Sequence, residues 1–426
     1  MDDLLPEEMA LKRRIECVIR DVFRLYGYLE IETPTVEYYE LFAAKSGEEI
    51  RERMFDFYDK AGRRLVLRPE VTASVARLLS TKLKVAPLPL RLGYIADCYR
   101  YDEPQWGRKR RFWQGGFELF GSRDPLADAE ILQVSFEVFR RLGLTGQYFK
   151  VGHVGILRSL LSYYKVEEKT QDTILTMIDR KLVEEAFQLM AEKDVDEEGR
   201  EAVRKLINLE GEDMSKIVSE ASQILSPWDE PRRMLQELRE IVELAVEGGV
   251  EAKIIVSPGF ARGLEYYTGF IFEQSVPDIG ISLNGGGRYD RLVELFGGRP
   301  TPGVGCAIGI TRILQYMVSK ENLKVKPERP NTLLVGIPNV SKNYIMKVAQ
   351  IIRENNIPLE VEVTGKRVPA AIDYALKAGM KYLVIVGEKE EREQKISIRN
   401  LLEKTQVEVS LKNVERIRSI LGEGAE

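Results

Sequence analysis

The chain has 426 residues, with 63 Lys and Arg against 67 Asp and Glu and a formal net charge of −4. That length exceeds one ordinary core, so two or three domains are expected, and the charge balance argues against an overall basic nucleic-acid wrapper while leaving local basic patches open. Cys17, Cys98 and Cys306 are scattered and lack metal-ligand spacing, against a disulfide framework, and without a signal peptide or long apolar run a cytosolic protein is expected, with no membrane partner.

Leu11, Ile15, Val18, Ile19 and Phe23 recur at helical spacing, so Glu7–Tyr26 reads as an amphipathic helix ended by Gly27. Tyr28–Pro34 is short and extended. Phe55–Asp59 and Leu65–Leu67 pair across a turn, and Thr72–Thr81 is a helix. Strands at Leu90–Tyr101 and Phe112–Phe120 precede a helix at Asp128–Leu142. From Val166 to Gly248 strand signals vanish, and a Glu-, Lys-, Leu- and Ala-rich stretch reads as a helical insertion. Strands resume at Lys253–Val256, Gly269–Gln274 and Gly280–Asn284, and Gly303–Gly309 enters a helix at Thr311.

Lys324–Arg329 reads as a charged linker. Beyond it, strands at Thr332–Ile337, Leu359–Val363 and Tyr382–Gly387 alternate with a helix capped by Ser341 and another at Val368–Lys377. Two hydrophilic strands, Lys395–Asn400 and Gln406–Leu411, and a terminal helix follow. This pattern implies a small separate α/β domain with a mostly parallel core.

With His153 the single histidine, multi-histidine metal centres are excluded, as is a Ser-His-Asp site that His153 does not serve. Chemistry must run on carboxylates, arginines, tyrosines and metal-bound phosphates. The richest segment is Arg100–Gly121, a hairpin with a basic tip at Lys109–Arg111. On its return strand Phe112, Gln114, Gly116 and Glu118 share one face by the two-residue period. That face can stack a base and hydrogen-bond a small polar ligand. A buried Glu118 without a partner is costly, so a ligand or a cationic neighbour is expected.

Arg68-Pro69-Glu70-Val71-Thr72 sets a carboxylate and a hydroxyl before a helix, suited equally to holding an ammonium and to capping. Arg262, Tyr266 and Tyr267 lie in a loop with two glycines; the tyrosines can wall a flat pocket or simply pack on the core, and Arg262 can neutralise phosphate charge. The run Asn284-Gly285-Gly286-Gly287-Arg288-Tyr289-Asp290 lacks a P-loop ending. Gly303, Gly305 and Gly309 are misspaced for a dinucleotide fingerprint, and close strand packing alone accounts for them; Arg312 after that strand is a candidate nucleotide clamp.

Together these segments resemble class II aminoacyl-tRNA synthetases, and among them histidyl-tRNA synthetases of the archaeal kind, over nearly the whole chain. Tyr28–Pro34 resembles the first class motif, which lies at the dimer interface, Arg100–Gly121 the second and Gly303–Arg312 the third. Arg68–Thr72 and Arg262–Tyr267 resemble the two histidine-specific signatures. The class motifs are loose individually, whereas Arg-Gly-Leu-Glu-Tyr-Tyr-Thr-Gly with Gly-Gly-Arg-Tyr-Asp is specific to this family and its paralogues.

The resemblance implies an α+β catalytic domain, an antiparallel sheet with helices, over residues 1–323, with the helical insertion at 166–248. It implies a linker at 324–329 and an α/β anticodon-binding domain at 330–426. It implies a cytoplasmic homodimer that uses ATP with Mg2+ to activate L-histidine and charge tRNA(His), without a protein-held metal. Arg100 and Arg312 would grip ATP phosphates, Asp102 and Arg108 would help position ATP, and Phe112 would stack on adenine. Glu70, Thr72 and Gln114 would hold the amino and carboxylate ends of histidine, and Glu118 and Tyr267 the imidazole, with Tyr266 as wall. Arg262 would stabilise charge on the α-phosphate, making Arg100 and Arg262 the catalytic pair. The basic tip at Gln105–Arg111 would contact the acceptor end of the tRNA through phosphates.

Two positions depart from the family pattern. Thr311 stands where an acid usually precedes the clamp arginine, and Asp3-Leu4-Leu5-Pro6 lacks the usual preceding Arg-Gly, which allows a trimmed or alternative start. The competing reading is the regulatory paralogue that activates an ATP phosphoribosyltransferase. That paralogue normally lacks the C-terminal α/β domain and tends to lose the ATP arginines, so Pro330–Leu421 with Arg100, Arg262 and Arg312 favours the synthetase.

Overall fold

Helical spacing of apolar side chains drives the first element into the core. In the computed structural model, which describes residues 3–43, 51–103, 106–262, 266–277, 279–319 and 329–422, α1 (Pro6–Tyr26) buries Leu11, Ile15, Ile19, Val22 and Phe23 along one stripe. β1 (Leu29–Glu30), β2 (Val36–Tyr38), α2 (Tyr39–Ala43), β3 (Phe55–Tyr58), β4 (Arg64–Leu67) and α3 (Thr72–Thr81) follow. β2, β4 and β3 make a small antiparallel sheet, with Phe57 opposite Leu65.

The long hairpin pairs β5 (Leu90–Tyr99) with β6 (Arg111–Phe120), running in register from Leu90 opposite Phe120 to Tyr99 opposite Arg111. Next come α4 (Pro125–Arg141), β7 (Tyr148–His153) and α5 (Val154–Tyr163). The helical stretch comprises α6 (Glu168–Asp179), α7 (Val183–Glu192), α8 (Glu197–Asn208), α9 (Met214–Ile224) and α10 (Asp229–Glu247). β8 (Lys253–Val256), β9 (Phe270–Ser275), β10 (Asn284–Arg288), α11 (Leu292–Leu295), β11 (Gly303–Gly309) and α12 (Ile310–Ser319) complete this unit.

Among the described residues the main sheet has eight strands, in the order β1-β5-β6-β11-β10-β9-β7-β8. Its six central strands are antiparallel, and a parallel pair closes each edge. One face packs on α1, α4, α10 and α12 through Ile19, Phe139, Leu238 and Ile313. The other packs on α3, α5 and the earlier insertion helices through Val75, Leu160 and Met190. The insertion is therefore built into both cores, and α10 buries Leu238, Ile241 and Ala245 beside Val151 of β7.

Two elements near the site begin elsewhere than expected. The strand expected at Gly280–Asn284 is β10, Asn284–Arg288, so the glycine run is itself a central strand. Close strand approach is the reason: a Cβ on Gly286 would sit 2.1 Å from the Gly305 carbonyl oxygen. The helix expected from Asp128 begins at Pro125, because Asp124 accepts from the Leu126 N–H at 2.9 Å and Pro125 fits the first helical position.

The chain divides into two compact units, Met1–Val325 and Lys326–Glu426. Of the linker expected at 324–329, residues 324–328 lie outside the described residues. The second unit holds β12 (Thr332–Gly336), α13 (Lys342–Glu354), β13 (Glu360–Val361), α14 (Val368–Lys377), β14 (Tyr382–Val386), α15 (Glu388–Glu393), β15 (Lys395–Asn400), β16 (Gln406–Ser410) and α16 (Val414–Leu421). Its sheet runs β13-β12-β14-β15-β16, parallel across the first three strands and antiparallel across the last three. Ser341 caps α13 by accepting from the Tyr344 N–H at 3.1 Å.

Candidate active site

β6, β11 and β10 lie side by side in the middle of the main sheet, and their side chains wall a cavity of about 360 Å³. Every residue expected to hold a ligand lines this cavity except Glu118. Segments separated by more than 200 positions thus converge, because β11 brings Arg312 beside the hairpin that carries Arg100 and Arg108.

One part of the cavity is cationic. Arg312 is anchored by donating from Nε to the Gly107 carbonyl at 3.0 Å and from Nη1 to the Ser282 carbonyl at 2.6 Å. Arg100 donates from Nε to the Pro69 carbonyl at 2.8 Å, and its guanidinium carbon lies 5.2 Å from the Phe112 ring centroid. Burial, then the charges of Arg100 and Arg108, pull Arg312 down to about 10. Like charges held together in this way create a standing demand for an anion. Asp102 is held by Arg53 at 3.1 Å. Arg262 donates to the Phe272 carbonyl at 3.1 Å and lies 3.5 Å from Glu273.

The other part is lined by phenols over a buried acid. Tyr266 and Tyr267 are buried with ring centroids 4.9 Å apart, and Tyr289 meets Tyr266 edge-on at 5.9 Å. Glu118 is 0% exposed. It accepts from the Thr72 hydroxyl at 2.7 Å and from the Tyr289 hydroxyl. Sequence reasoning expected a ligand or a cation beside Glu118; among the described residues its hydrogen-bond partners are two hydroxyls, which satisfy the oxygens without neutralising the charge. Burial accordingly pushes its carboxyl up to about 8. Glu70 accepts from the Ala73 N–H at 3.0 Å, as its capping reading expects, and it also lines the cavity. The Gln114 amide oxygen accepts from the Cys98 thiol at 3.3 Å.

Thr311 does not orient Arg312. Its hydroxyl accepts from the Trp113 N–H at 2.8 Å, where β6 runs past the end of β11. Sequence reasoning missed Tyr289, Glu273, Arg53 and Asp179 as cavity residues. Only Tyr289 had a signal, its place in the Gly-Gly-Arg-Tyr-Asp run. Gly263, Leu264 and Glu265 of the Arg262–Tyr267 signature, and Gln105 of the basic tip, lie outside the described residues.

An antiparallel sheet carrying arginines on its hairpin and on the helix after β11 defines a class II aminoacyl-tRNA synthetase catalytic fold, joined here to a second α/β unit. The histidyl-tRNA synthetase profile matches residues 1–313, and the anticodon-binding domain profile matches residues 333–418. The chain is 36% identical over 404 residues to the histidine--tRNA ligase of Methanocaldococcus jannaschii, covering 94% of each chain. It is 37% identical over 428 residues to that of Thermococcus kodakarensis, covering 99% of this chain and 97% of the relative. A solved apo histidyl-tRNA synthetase from S. aureus superposes with a TM-score of 0.74 at 25% identity, over 98% of this chain and 97% of that one. An ATP phosphoribosyltransferase regulatory subunit/histidyl-tRNA synthetase from Bacillus halodurans gives 0.74 at 25% identity, over 91% and 97%. The chain belongs to the histidyl-tRNA synthetase family.

Proposed function

We infer that this chain activates L-histidine with ATP and transfers it to tRNA(His). The observation that carries the reading is one cavity that joins an arginine cluster to a wall of phenols, with Glu118 buried directly behind two of its lining residues, Thr72 and Tyr289. Arg100 and Arg312 hold the triphosphate, Asp102 and Arg108 position ATP, and Phe112 stacks on adenine. Mg2+ enters with the triphosphate as part of the substrate. Glu70, Thr72 and Gln114 hold the amino and carboxylate ends of histidine. Glu118 and Tyr267 take the two ring nitrogens, and Tyr266 forms the wall. A ligand lacking either nitrogen leaves a buried polar group unpaired, which is a strong source of discrimination.

In the first step a histidine carboxylate oxygen attacks the α-phosphorus, and the bond to the bridging oxygen of pyrophosphate breaks. Arg262 stabilises charge on the α-phosphate, so rate comes from alignment and electrostatics rather than from a covalent enzyme intermediate. In the second step a terminal ribose hydroxyl of the tRNA attacks the acyl carbon, and AMP leaves. We assign catalysis to residues 1–323 and anticodon binding to 330–426, in a cytoplasmic homodimer joined through Tyr28–Pro34. Among the described residues no helix is long and apolar enough to cross a membrane.

The anticodon-domain match and the presence of Arg100, Arg262 and Arg312 in the cavity favour charging over a purely regulatory role. The test is histidine-dependent ATP–pyrophosphate exchange, wild type beside Glu118→Ala. Exchange that requires histidine and collapses in the variant supports the reading. A folded wild-type protein that binds histidine without exchange overturns it in favour of regulation.

A further inference from the structure

Behind the cavity a buried ion pair holds the backbone from which the phenols project. Asp128, in the first turn of α4, is 0% exposed, and Arg288, the last residue of β10, is 3% exposed. Arg288 donates from Nε to Asp128 Oδ1 at 3.0 Å and from Nη2 to Oδ2. Its Nη1 donates to the Ser122 carbonyl at 2.8 Å and to Asp290 at 3.1 Å. All three guanidinium nitrogens are thereby tied. The Arg288 carbonyl in turn accepts from the Thr268 N–H at 2.8 Å and from the Thr268 hydroxyl at 3.3 Å. The Asp290 N–H donates to that same hydroxyl at 3.1 Å.

Chain order gives this anchoring its meaning. Tyr289 directly follows Arg288, and Thr268 directly follows Tyr267. One pinned residue therefore fixes the take-off points of the phenol that donates to Glu118 and of the two that wall the pocket. Neither Asp128 nor Arg288 lines the cavity. Stability is a poor account of the pair, since desolvating two charges roughly cancels their attraction and apolar residues of like volume do as well.

We propose that the Asp128–Arg288 pair is a positioning unit for amino-acid recognition, fixing Tyr289 on Glu118 and, through Thr268, the Tyr266–Tyr267 wall. The proposal rests on reading the cavity as a histidine site. The unit reaches further back. α10 packs along α4, the helix that carries Asp128, and its Glu237 lies 3.6 Å from Nε2 of His153, itself 1% exposed. The last helix of the insertion thus abuts the pair that holds the pocket.

The test is steady-state pyrophosphate exchange on full-length Asp128→Asn, Tyr289→Phe and their double variant. Histidine KM is expected to rise at least tenfold in Asp128→Asn, with ATP KM within twofold of wild type. In the double variant the rise should fall well short of the product of the two single effects, because both act through one phenol. Multiplying effects, an equal rise in both KM values, or no change in histidine KM would overturn the proposal. A second variant, Asp128→Leu with Arg288→Met, removes both charges and leaves no unpaired ion in the core. It is expected to keep the wild-type melting temperature within a few degrees and still lose histidine affinity tenfold by calorimetry; wild-type affinity there refutes a positioning role. Absence of histidine-dependent exchange in the wild type sinks the functional reading instead, so the two failures are distinct.

Discussion

The Thr72 hydroxyl donates to Glu118 at 2.7 Å, joining the first residue of α3 to the interior of β6. The Tyr289 hydroxyl takes the other carboxylate oxygen. Among the described residues no cation is paired with Glu118, so its charge state responds to what enters the pocket. A ring N–H donated by a ligand favours the carboxylate, whereas the empty pocket favours the acid.

A pH signature follows for the unliganded protein. Burial raises the Glu118 carboxyl from its ordinary 4.5 to about 8. Its stability contribution is full below about 4.5 and is lost as pH rises toward 8, because the unfolded chain releases the proton first. The loss runs at roughly 1.4 kcal/mol per pH unit for one such group. Glu70, also raised by burial, adds a slope of the same sign. Glu118→Gln should therefore shrink the fall in urea midpoint between pH 5.5 and 8 without abolishing it. An undiminished fall would show that Glu118 is ionised in the folded state.

Gly305→Ala should separate the two ends of the cavity. A Cβ there would lie 1.9 Å from Glu118 Oε2 and 2.6 Å from the Phe117 carbonyl and the Tyr289 hydroxyl. The backbone contact cannot swing away, so the carboxylate and phenol must move. Histidine affinity is expected to fall at least a hundredfold in calorimetry while ATP affinity stays within threefold. Retained histidine binding would mean that the site relaxes around the methyl.

Much of this was legible along the chain. Alternation marked β6 and placed Phe112, Gln114 and Glu118 on one face, and helical spacing marked α1. Arg312 was legible as a site candidate because it follows an apolar strand, and it lines the cavity. The strand Asn284–Arg288 was hidden, since glycine is disfavoured in strands by intrinsic preference and is selected here by close neighbours on both sides. The Tyr289–Glu118 contact spans 171 positions, and the Arg288–Asp128 pair spans 160. Local pattern carries no record of contacts so distant. It predicted that Glu118 needed partners, and the fold supplied hydroxyls.

Arg312→Gln tests the arginine cluster. Burial and the charges of Arg100 and Arg108 already disfavour the Arg312 charge. Removing it relieves that repulsion, and a glutamine amide retains one donor for the carbonyls that Arg312 now serves. The unliganded melting temperature should hold or rise by a few degrees, whereas ATP KM should rise at least tenfold. A clear drop in melting temperature would assign Arg312 mainly to holding Gly107 and Ser282 in place.

Thr311→Val asks whether the departure at this position concerns ATP at all. The side chain is buried and its hydroxyl accepts from the Trp113 N–H, while Arg312 is oriented independently by two carbonyls. Valine keeps the shape and leaves that N–H without its acceptor, a loss of about 1–3 kcal/mol. The urea midpoint should fall accordingly, with ATP KM within twofold of wild type. A tenfold rise in ATP KM at unchanged stability would place Thr311 in the nucleotide site and reverse this reading. The carbonyls of Gly107 and Ser282 already anchor Arg312, so an acid introduced by Thr311→Glu should gain nothing and would cost the bond to Trp113.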